Sequence, residues 1–331
     1  MRVTTLSILA LALCLLFPGA VNSERAPLVG PGERLLVVAP HPDDETLGAA
    51  GLIQRVLAQG GTVRIVLVTA GDGYVEAVVH DTGQLRPRPS EYVRYGQRRL
   101  AEARAATRVL GDDRIRLQFL GFPDGGLQGL LRAHWWRSSP ERSSTTEASD
   151  PPYDEAVEPD VPYDGDDLRR ELLAVLRETR PTIVVLPDPL DRHPDHSATA
   201  LFTLLALDDW LHSRAKPTEP MPRLFAYLVH WPDWPPGWNA KTPSPVESKQ
   251  PLMLPRSLPS RRLERVSLTL TDDELASKRA ALAKYTSQME VMGNILVALT
   301  RRTEPFTVLS PAGLRQIGHM IQAPEPTPQH R

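Results

Sequence analysis

The sequence contains a single cysteine, Cys14, among its 331 residues. One thiol cannot form an intramolecular disulfide, so the fold must depend on an apolar core. The chain also lacks the basic excess of a nucleic-acid-binding protein, since 38 lysines and arginines face 40 acidic residues. It has no basic cluster suited to a membrane surface and no internal repeat. Its hydrophobic content of 41% is enough for a sizeable core.

The apolar stretch near the start of the chain is too short for a membrane helix, which needs about 20 residues. It runs from Leu6 to Phe17, after Arg2 and before the small residues at 20–23. This layout is typical of a secretory signal peptide. We therefore predict a signal peptide at 1–23, a mature chain without a membrane span, and a secreted, periplasmic or otherwise extracytoplasmic location. Retention of the segment as an anchor stays open.

From residue 33 onward, apolar runs alternate with helical patterns, which is typical of βαβ units and a mostly parallel sheet. The pattern predicts strands near 35–40, 64–69, 115–120, 182–187 and 223–229. It predicts helices near 46–59, 90–110, 166–179 and 196–212. A further helix is expected after Thr271, which forms a capping-box pattern with Glu274. The fold class is therefore α/β.

Thirty-three prolines are about twice the usual share, and they concentrate at 138–162 and 217–259. The stretch 138–165 mixes Ser, Thr, Pro and acidic residues with almost no aliphatic ones, which predicts a flexible, solvated insertion. In the second region, Trp231, Trp234 and Trp238 lie on a Pro-rich segment. Aromatic rings there can stack on a sugar, which makes Trp234 a candidate substrate contact, or they can cover edges of the core.

Two polar clusters follow two of the predicted strands. The first is HPDDE at 41–45 and the second is HPDH at 193–196. Ligands bind at the carboxyl ends of strands in open α/β sheets, so the two clusters can meet in one site. A single His-Pro-Asp is often only a turn with an N-cap aspartate, and that alternative stays open for Asp195. Two such clusters after two buried strands favour a metal site.

A catalytic zinc site usually has three His or carboxylate ligands, and its water ionises near neutral pH. The clusters supply three such residues: His41, Asp44 and His196. Asp43 is left beside the metal, where a carboxylate that is not a ligand is the expected general base. His193, as an imidazolium kept charged by Asp195, can hydrogen-bond the oxyanion formed when water attacks a carbonyl.

These segments resemble the signature motifs of the PIG-L and LmbE-like zinc deacetylases. The segment APHPDDE at 39–45 is similar to the family's AHPDDE motif, with Pro40 inserted. The HPDH segment at 193–196 is similar to the second signature. Weaker resemblances lie at 120–126, at Arg99 and Glu102, and from Lys278 to 287–288. Together they cover most of residues 33–310.

The resemblance implies a Rossmann-like α/β fold, a mostly parallel sheet with helices on both faces, and a single deacetylase domain over 24–331 with Pro-rich loop insertions. It implies one zinc ion per chain and hydrolysis of an N-acetyl amide on an N-acetylglucosamine-type sugar or glycoconjugate. Arg99 matches a substrate-contacting position, and Asp124 is expected to act likewise. Asp191 stands where some members carry a tyrosine, so a tyrosine-assisted oxyanion is not available there.

Two other functions remain compatible with these residues. Two histidines and a carboxylate also form the facial triad of non-haem iron oxygenases. That triad resembles a His-x-Asp spacing on an all-β scaffold, whereas His41 and Asp44 are separated by two residues among alternating strands and helices. A carbohydrate-binding protein without turnover would not need Asp43 as a base. The sequence identifies neither the acylated sugar nor the oligomeric state.

Overall fold

The computed structural model describes residues 28–213, 220–239, 249–259 and 263–310, and the predicted signal peptide at 1–23 lies outside them. The strands of this part are β1 (Arg34–Ala39), β2 (Thr62–Thr69), β3 (Ile115–Phe122), β4 (Ile183–Pro187), β5 (Arg223–Tyr227), β6 (Arg265–Thr269) and β7 (Thr303–Val308). The helices are α1 (Asp44–Ala58), α2 (Val75–Thr82), α3 (Pro89–Gly111), α4 (Leu127–Arg132), α5 (Gly165–Thr179), α6 (Pro194–His212), α7 (Asp272–Leu282) and α8 (Thr286–Leu299).

The described strands form one sheet in the order β3-β2-β1-β4-β5-β7-β6. The pairs from β3 to β5 are parallel, whereas β7 runs antiparallel to both β5 and β6. After β1 the chain builds β2 and β3 on one side, and it then places β4 and β5 on the other. The carboxyl ends of β1 and β4 therefore flank the point where the strand order reverses, which is the usual ligand site of such sheets.

Helices cover both faces of the sheet, as the sequence predicts. Leu35 and Val37 pack in a core with residues of α1, α3, α7 and α8. Leu36 and Val38 face the opposite way, into a second core with residues of α4, α5 and α6. Burial on both faces explains why the central strands read as continuous apolar runs. Within the described part of the chain, none of the helices combines the length and apolar character needed to cross a bilayer.

The strands and helices predicted from the sequence are present, with ends within two residues of the expected ones. The capping box before α7 is also confirmed, because Glu274 N–H donates to Thr271 Oγ1 at 3.1 Å and Thr271 N–H donates to Glu274 Oε2 at 2.8 Å. The antiparallel strands β6 and β7 were not predicted. Their sequences lack a continuous apolar run, since β6 buries only Leu268.

The segment 138–165, predicted to be a flexible and solvated insertion, is not solvated throughout, because several of its side chains are buried. The segment carries almost no helix or strand, yet Tyr153 and Tyr163 are only 3% and 1% exposed. Tyr163 Oη donates to the carbonyl of Gly121 at 3.0 Å, and Tyr153 Oη donates to the Asp72 carboxylate. Aromatic rings anchor this segment to the core in place of aliphatic side chains, and composition alone does not reveal that.

Candidate active site

The turn after β1 carries three of the predicted site residues in a constrained backbone. Asp43 has a φ of +118°, in a region that residues with a Cβ rarely adopt. Its N–H donates to Glu45 Oε2 at 3.1 Å, and the buried Glu45 carboxylate also accepts a hydrogen bond from Tyr285 Oη. Strained residues of this kind cluster at functional sites. The turn brings Asp43 and Asp44 to the wall of one cavity.

The first turn of α6 brings His196 to the same place. Its Nε2 lies 3.2 Å from Asp44 Oδ2, and His41 Nδ1 lies 3.2 Å from that oxygen. The ring centroids of His41 and His196 are 5.3 Å apart. One ligand atom from each of the three residues lies within 4.8 Å of the others, so the group can hold a metal ion.

The surroundings of His196 fit a metal ligand. The residue is fully buried, and neither ring nitrogen has a hydrogen-bond partner. Buried polar atoms are normally satisfied, so two unsatisfied nitrogens require an explanation such as an ion. Nδ1 faces the Asp191 carboxylate at 3.4 Å, as expected for a histidine whose other nitrogen binds a metal. A His-His-carboxylate set is typical of catalytic zinc sites.

A second group of residues also meets the distance requirement for a metal site: His41, His193 and Asp195. Its atoms are already engaged, because Asp195 accepts hydrogen bonds from Gly125 N–H at 2.7 Å and Leu127 N–H at 3.1 Å. His193 Nδ1 accepts the N–H of Asp195 at 3.2 Å. The group with His196 is therefore the better candidate.

The predicted pairing of His193 with the Asp195 carboxylate is not what the structure contains. Because His193 Nδ1 accepts a hydrogen bond and caps α6, its proton is on Nε2 and the ring is neutral. Burial, together with the charge of His41, lowers the pKa of His193 to about 3. The Asp195 carboxylate instead anchors the loop at 124–127 and lies 3.4 Å from His41 Nε2. His193 is thus a neutral hydrogen-bond donor.

The two aspartates of the first cluster differ in their electrostatics. Burial opposes ionisation of Asp44, but His196 and His41 outweigh it and hold its pKa well below the usual value. Burial raises the pKa of Asp43 to about 8, although the charge of Arg99 acts in the opposite direction. The pKa of a general base is best placed near the working pH, which suits Asp43 and not Asp44.

Arg99 and Asp124 line the cavity but are held by other parts of the site. Arg99 donates to the carbonyls of Gly71 at 2.7 Å and Pro42 at 2.6 Å, and its Nη2 lies 3.2 Å from Asp43 Oδ2. Asp124 Oδ1 lies 3.0 Å from His41 Nε2, and its other oxygen accepts the N–H of Gly73. Both side chains therefore position the HPDDE turn as well as lining the cavity.

Trp234, predicted to contact the substrate, lies in the core instead. Its side chain is part of the core that contains Leu35, and it does not line the cavity. Its Nε1 donates to the carbonyl of Met253 at 2.9 Å. The indole nitrogen thus has a partner inside the protein, and no ring face is left for a sugar. Trp238, on the same segment, is 41% exposed.

Sequence reasoning missed two residues near His196. Asp191 was noted only as a departure from the tyrosine of other proteins, although it faces His196. His230 lies after β5, with its ring centroid 4.7 Å from that of His196 and 5.0 Å from that of His193. It lines the cavity, which has a volume of about 370 Å³. A polar residue at the carboxyl end of a third parallel strand was the available signal for His230.

The sequence is similar to those of several curated deacetylases. A 1D-myo-inositol 2-acetamido-2-deoxy-alpha-D-glucopyranoside deacetylase of Saccharopolyspora erythraea is 30% identical over 174 residues, covering 52% of this chain and 55% of that protein. The enzyme with the same description from Streptomyces avermitilis is 27% identical over 285 residues, covering 80% and 85%. The chain spans about half the length of most of the curated relatives it matches.

Among solved structures, the conserved protein TT1542 from Thermus thermophilus is 26% identical, with a TM-score of 0.48 over 84% of this chain and 96% of that one. The family model described as PIG-L, GlcNAc-PI de-N-acetylase, matches residues 36–207. That range runs from β1 through α6 and contains both polar clusters. Because the match covers just over half of the chain, the protein belongs to the PIG-L family of GlcNAc-PI de-N-acetylases.

Proposed function

We propose that the protein is a zinc-dependent N-deacetylase that releases acetate from an N-acetylglucosamine-type sugar or glycoconjugate. The observation that carries the proposal is the convergence of His41, Asp44 and His196, with ligand atoms within 4.8 Å of one another beside Asp43. Family membership and the N-acetylated sugar named in the relatives' descriptions support it. The relatives' activity is carried over here as part of the proposal.

In this proposal the ligands are His41, Asp44 and His196. A zinc ion supplies Lewis acidity, which polarises the amide carbonyl and makes water more acidic. Asp43 takes the proton from the attacking water and passes it to the leaving amine. The Nε2–H of His193 donates to the oxygen on which negative charge develops. Arg99 keeps the Asp43 carboxylate in place through its contacts with Asp43 and with the carbonyl of Pro42.

We also propose that residues 1–23 are a signal peptide and that the enzyme acts outside the cytoplasm. The support is the apolar segment with its basic start and small residues before position 24. Expression of the full chain in a secreting host, followed by N-terminal sequencing, tests this. A mature protein that starts near residue 24 is expected, and a cell-retained protein that keeps Met1 would contradict it.

The function is tested by metal analysis and acetate release on the same preparation. Protein purified without added metal is expected to contain about one zinc per chain, and chelation followed by zinc addition should remove and restore acetate release from N-acetylglucosamine derivatives. Iron at full occupancy with zinc absent would indicate an oxygenase instead. Zinc-loaded protein that binds such sugars but releases no acetate from any of them would indicate a binding protein.

A further inference from the structure

The loop at 70–74, between β2 and α2, forms one side of the candidate metal centre, and its last two residues line the cavity. Two hydrogen bonds tie this loop to side chains of the site. The carbonyl of Gly71 accepts a hydrogen bond from Arg99 at 2.7 Å, and the N–H of Gly73 donates to Asp124 Oδ2. The position of the loop therefore helps to fix both of these side chains.

Asp124 is the carboxylate nearest to the outer nitrogen of His41. Its Oδ1 lies 3.0 Å from His41 Nε2, and Asp195 Oδ2 is farther from the same nitrogen, at 3.4 Å. The other ring nitrogen, Nδ1, faces Asp44 Oδ2 at 3.2 Å and so points to the other proposed ligands. A carboxylate on the non-ligating nitrogen of a histidine orients its ring and strengthens metal binding. A shift of the 70–74 loop would therefore reach His41 through Asp124.

Asp72 joins the middle of the loop to the Pro-rich segment at 138–165. Tyr153 Oη donates to Asp72 Oδ2, and the two residues are only 3% and 4% exposed. In the part of the chain that the structure describes, no other side chain donates to this carboxylate. Burial and the charge of Asp124 raise the pKa of Asp72 to about 7, and the hydrogen bond from Tyr153 opposes the rise. A buried carboxylate beside a like charge is costly unless a donor holds it.

The phenol of Tyr153 is held in a set position by two elements of the fold. It crosses α3 at Gly96, where a Cβ would lie 2.2 Å from Tyr153 Oη. Its ring is edge-on to that of Phe119 in β3, with centroids 5.4 Å apart. In the same segment, the N–H of Val157 donates to the carbonyl of Phe119 at 2.9 Å. The sheet and α3 therefore fix the ring, and the hydroxyl is presented to the loop.

We propose that Tyr153 is a positioning residue for the candidate metal centre. Its hydroxyl holds Asp72 and with it the 70–74 loop. The loop in turn keeps Asp124 against His41 Nε2. The proposal rests on the proposed function, because His41 is one of the metal ligands assigned there. It makes the Pro-rich segment a part of the active site and not only a cover for the edge of the sheet.

Tyr153→Phe removes the hydroxyl and keeps the ring that packs against Phe119. An outer carboxylate is worth about 10- to 100-fold in metal affinity, and Tyr153 acts further out, so we expect zinc affinity to fall by about 3- to 10-fold. Competition with a chromophoric chelator measures it. Tyr163→Phe is the matched control, because it removes the other buried phenol hydroxyl of the segment, which bonds to the carbonyl of Gly121 and not to the 70–74 loop. Its zinc affinity should match that of the parent.

A double-mutant cycle shows whether Tyr153 and Asp72 act together. Asp72→Ala removes the acceptor, and the double variant with Tyr153→Phe removes both groups. If the two act as one pair, the double variant should bind zinc no more weakly than Asp72→Ala alone, because the interaction is already absent there. Asp72→Asn keeps an oxygen acceptor for the hydroxyl and should stay close to the parent. Losses that add in the double variant would show that the two residues act separately, and the proposal would be wrong.

Amide exchange on the metal-free protein tests the inference apart from the proposed function. In Tyr153→Phe we expect faster deuterium uptake in peptides that cover 70–74 and 123–127, with unchanged uptake in α6. Faster uptake with unchanged zinc affinity would show that the loop moves without consequence for the metal centre, which overturns the inference. Normal uptake and normal zinc affinity would also overturn it and leave the deacetylase intact. If the parent binds no zinc, the proposed function fails, and the exchange data alone decide whether Tyr153 holds the loop.

Discussion

Asp191 Oδ2 lies 3.4 Å from His196 Nδ1, and neither side chain is accessible to solvent. The same oxygen accepts the backbone N–H groups of Val229 and His230 at 2.9 and 3.0 Å. One carboxylate therefore joins the loop after β4 to the loop after β5 and faces the nitrogen of His196 that points away from Asp44. Asp191 therefore occupies the position of the carboxylate that, in many metal sites, contacts the non-ligating nitrogen of a histidine ligand and orients its ring.

Substitution of Asp191 should weaken metal binding without removing a ligand. For Asp191→Asn we expect the affinity for zinc to fall by about 10- to 100-fold, because His196 loses the charge that orients its ring. Competition with a chromophoric chelator measures this. Asp188→Asn is the matched control, since Asp188 is buried in the same loop but bonds to Leu190 N–H and Thr307 Oγ1. Equal zinc affinities of the two variants would contradict the assigned role.

Substitution of Asp43 should separate metal binding from turnover. Asp43→Ala is expected to retain zinc, because the proposed ligands are its neighbour Asp44 and two histidines. Acetate release should fall by about 100-fold or more, the scale of general-base catalysis. Zinc content and initial rate are measured on the same sample. A variant as fast as the parent would rule out Asp43 as the base.

Substitution of Trp234 should affect stability and not substrate affinity alone. The sequence made Trp234 a candidate substrate contact, and in that role Trp234→Ala would raise KM, but the side chain is only 6% exposed and lies in the core. We now expect the free energy of unfolding to fall by about 3 to 5 kcal/mol, as for other buried aromatic residues. Denaturant unfolding checks this, with Trp238→Ala as the exposed control. A raised KM at unchanged stability would restore the original prediction.

Glu171 should make the protein less stable as pH rises. Its carboxylate oxygens are buried without a hydrogen-bond partner. Burial raises the pKa of Glu171 from 4.5 to about 8, and the charge of Glu158 adds to the rise. Between these values the unfolded chain has released the proton and the folded chain has kept it, so stability falls with increasing pH.

Glu171→Gln removes this titration and tests the argument. Unfolding in urea at pH 4.5, 6 and 8 is expected to show that the variant gains stability relative to the parent as pH rises, by about 2 kcal/mol or more at pH 8. Burial of the glutamine amide in the variant changes the free energy of unfolding by the same amount at every pH, so the comparison across pH isolates the effect of the titration. Parallel stability curves for the two proteins would mean that the Glu171 carboxyl is not perturbed.

The central strands and the longer helices could be predicted because their signal is local. The run from Leu35 to Ala39 is apolar on both faces, and Leu100, Ala103 and Ala106 repeat at helical spacing. The two polar clusters were equally visible, since each directly follows such a run. Strand β6 was missed because it pairs only with β7, at the edge of the sheet, and buries a single residue of its five.

Contacts between distant segments were beyond prediction from sequence. The pairing of Tyr153 with Asp72 joins positions 81 residues apart, so the low aliphatic content of its segment was misread as solvation. The sequence left two interpretations of the Trp234 indole, stacking on a sugar or packing in the core. Only the folded structure shows that its Nε1 donates to the carbonyl of Met253 inside the protein. Asp195 is close to His193 along the chain, yet its carboxylate turns away toward Gly125 and Leu127.

The sequence alone determined which side chains stand at the ends of β1 and β4, because residue type and apolar patterning are properties of short segments. Tertiary structure decided which of those side chains meet. It set His196 against Asp44, made His193 a neutral donor through the N–H of Asp195, and brought Asp191 and α8 to the site. Those outcomes depend on distances between segments and on burial, and both exist only once the chain has folded.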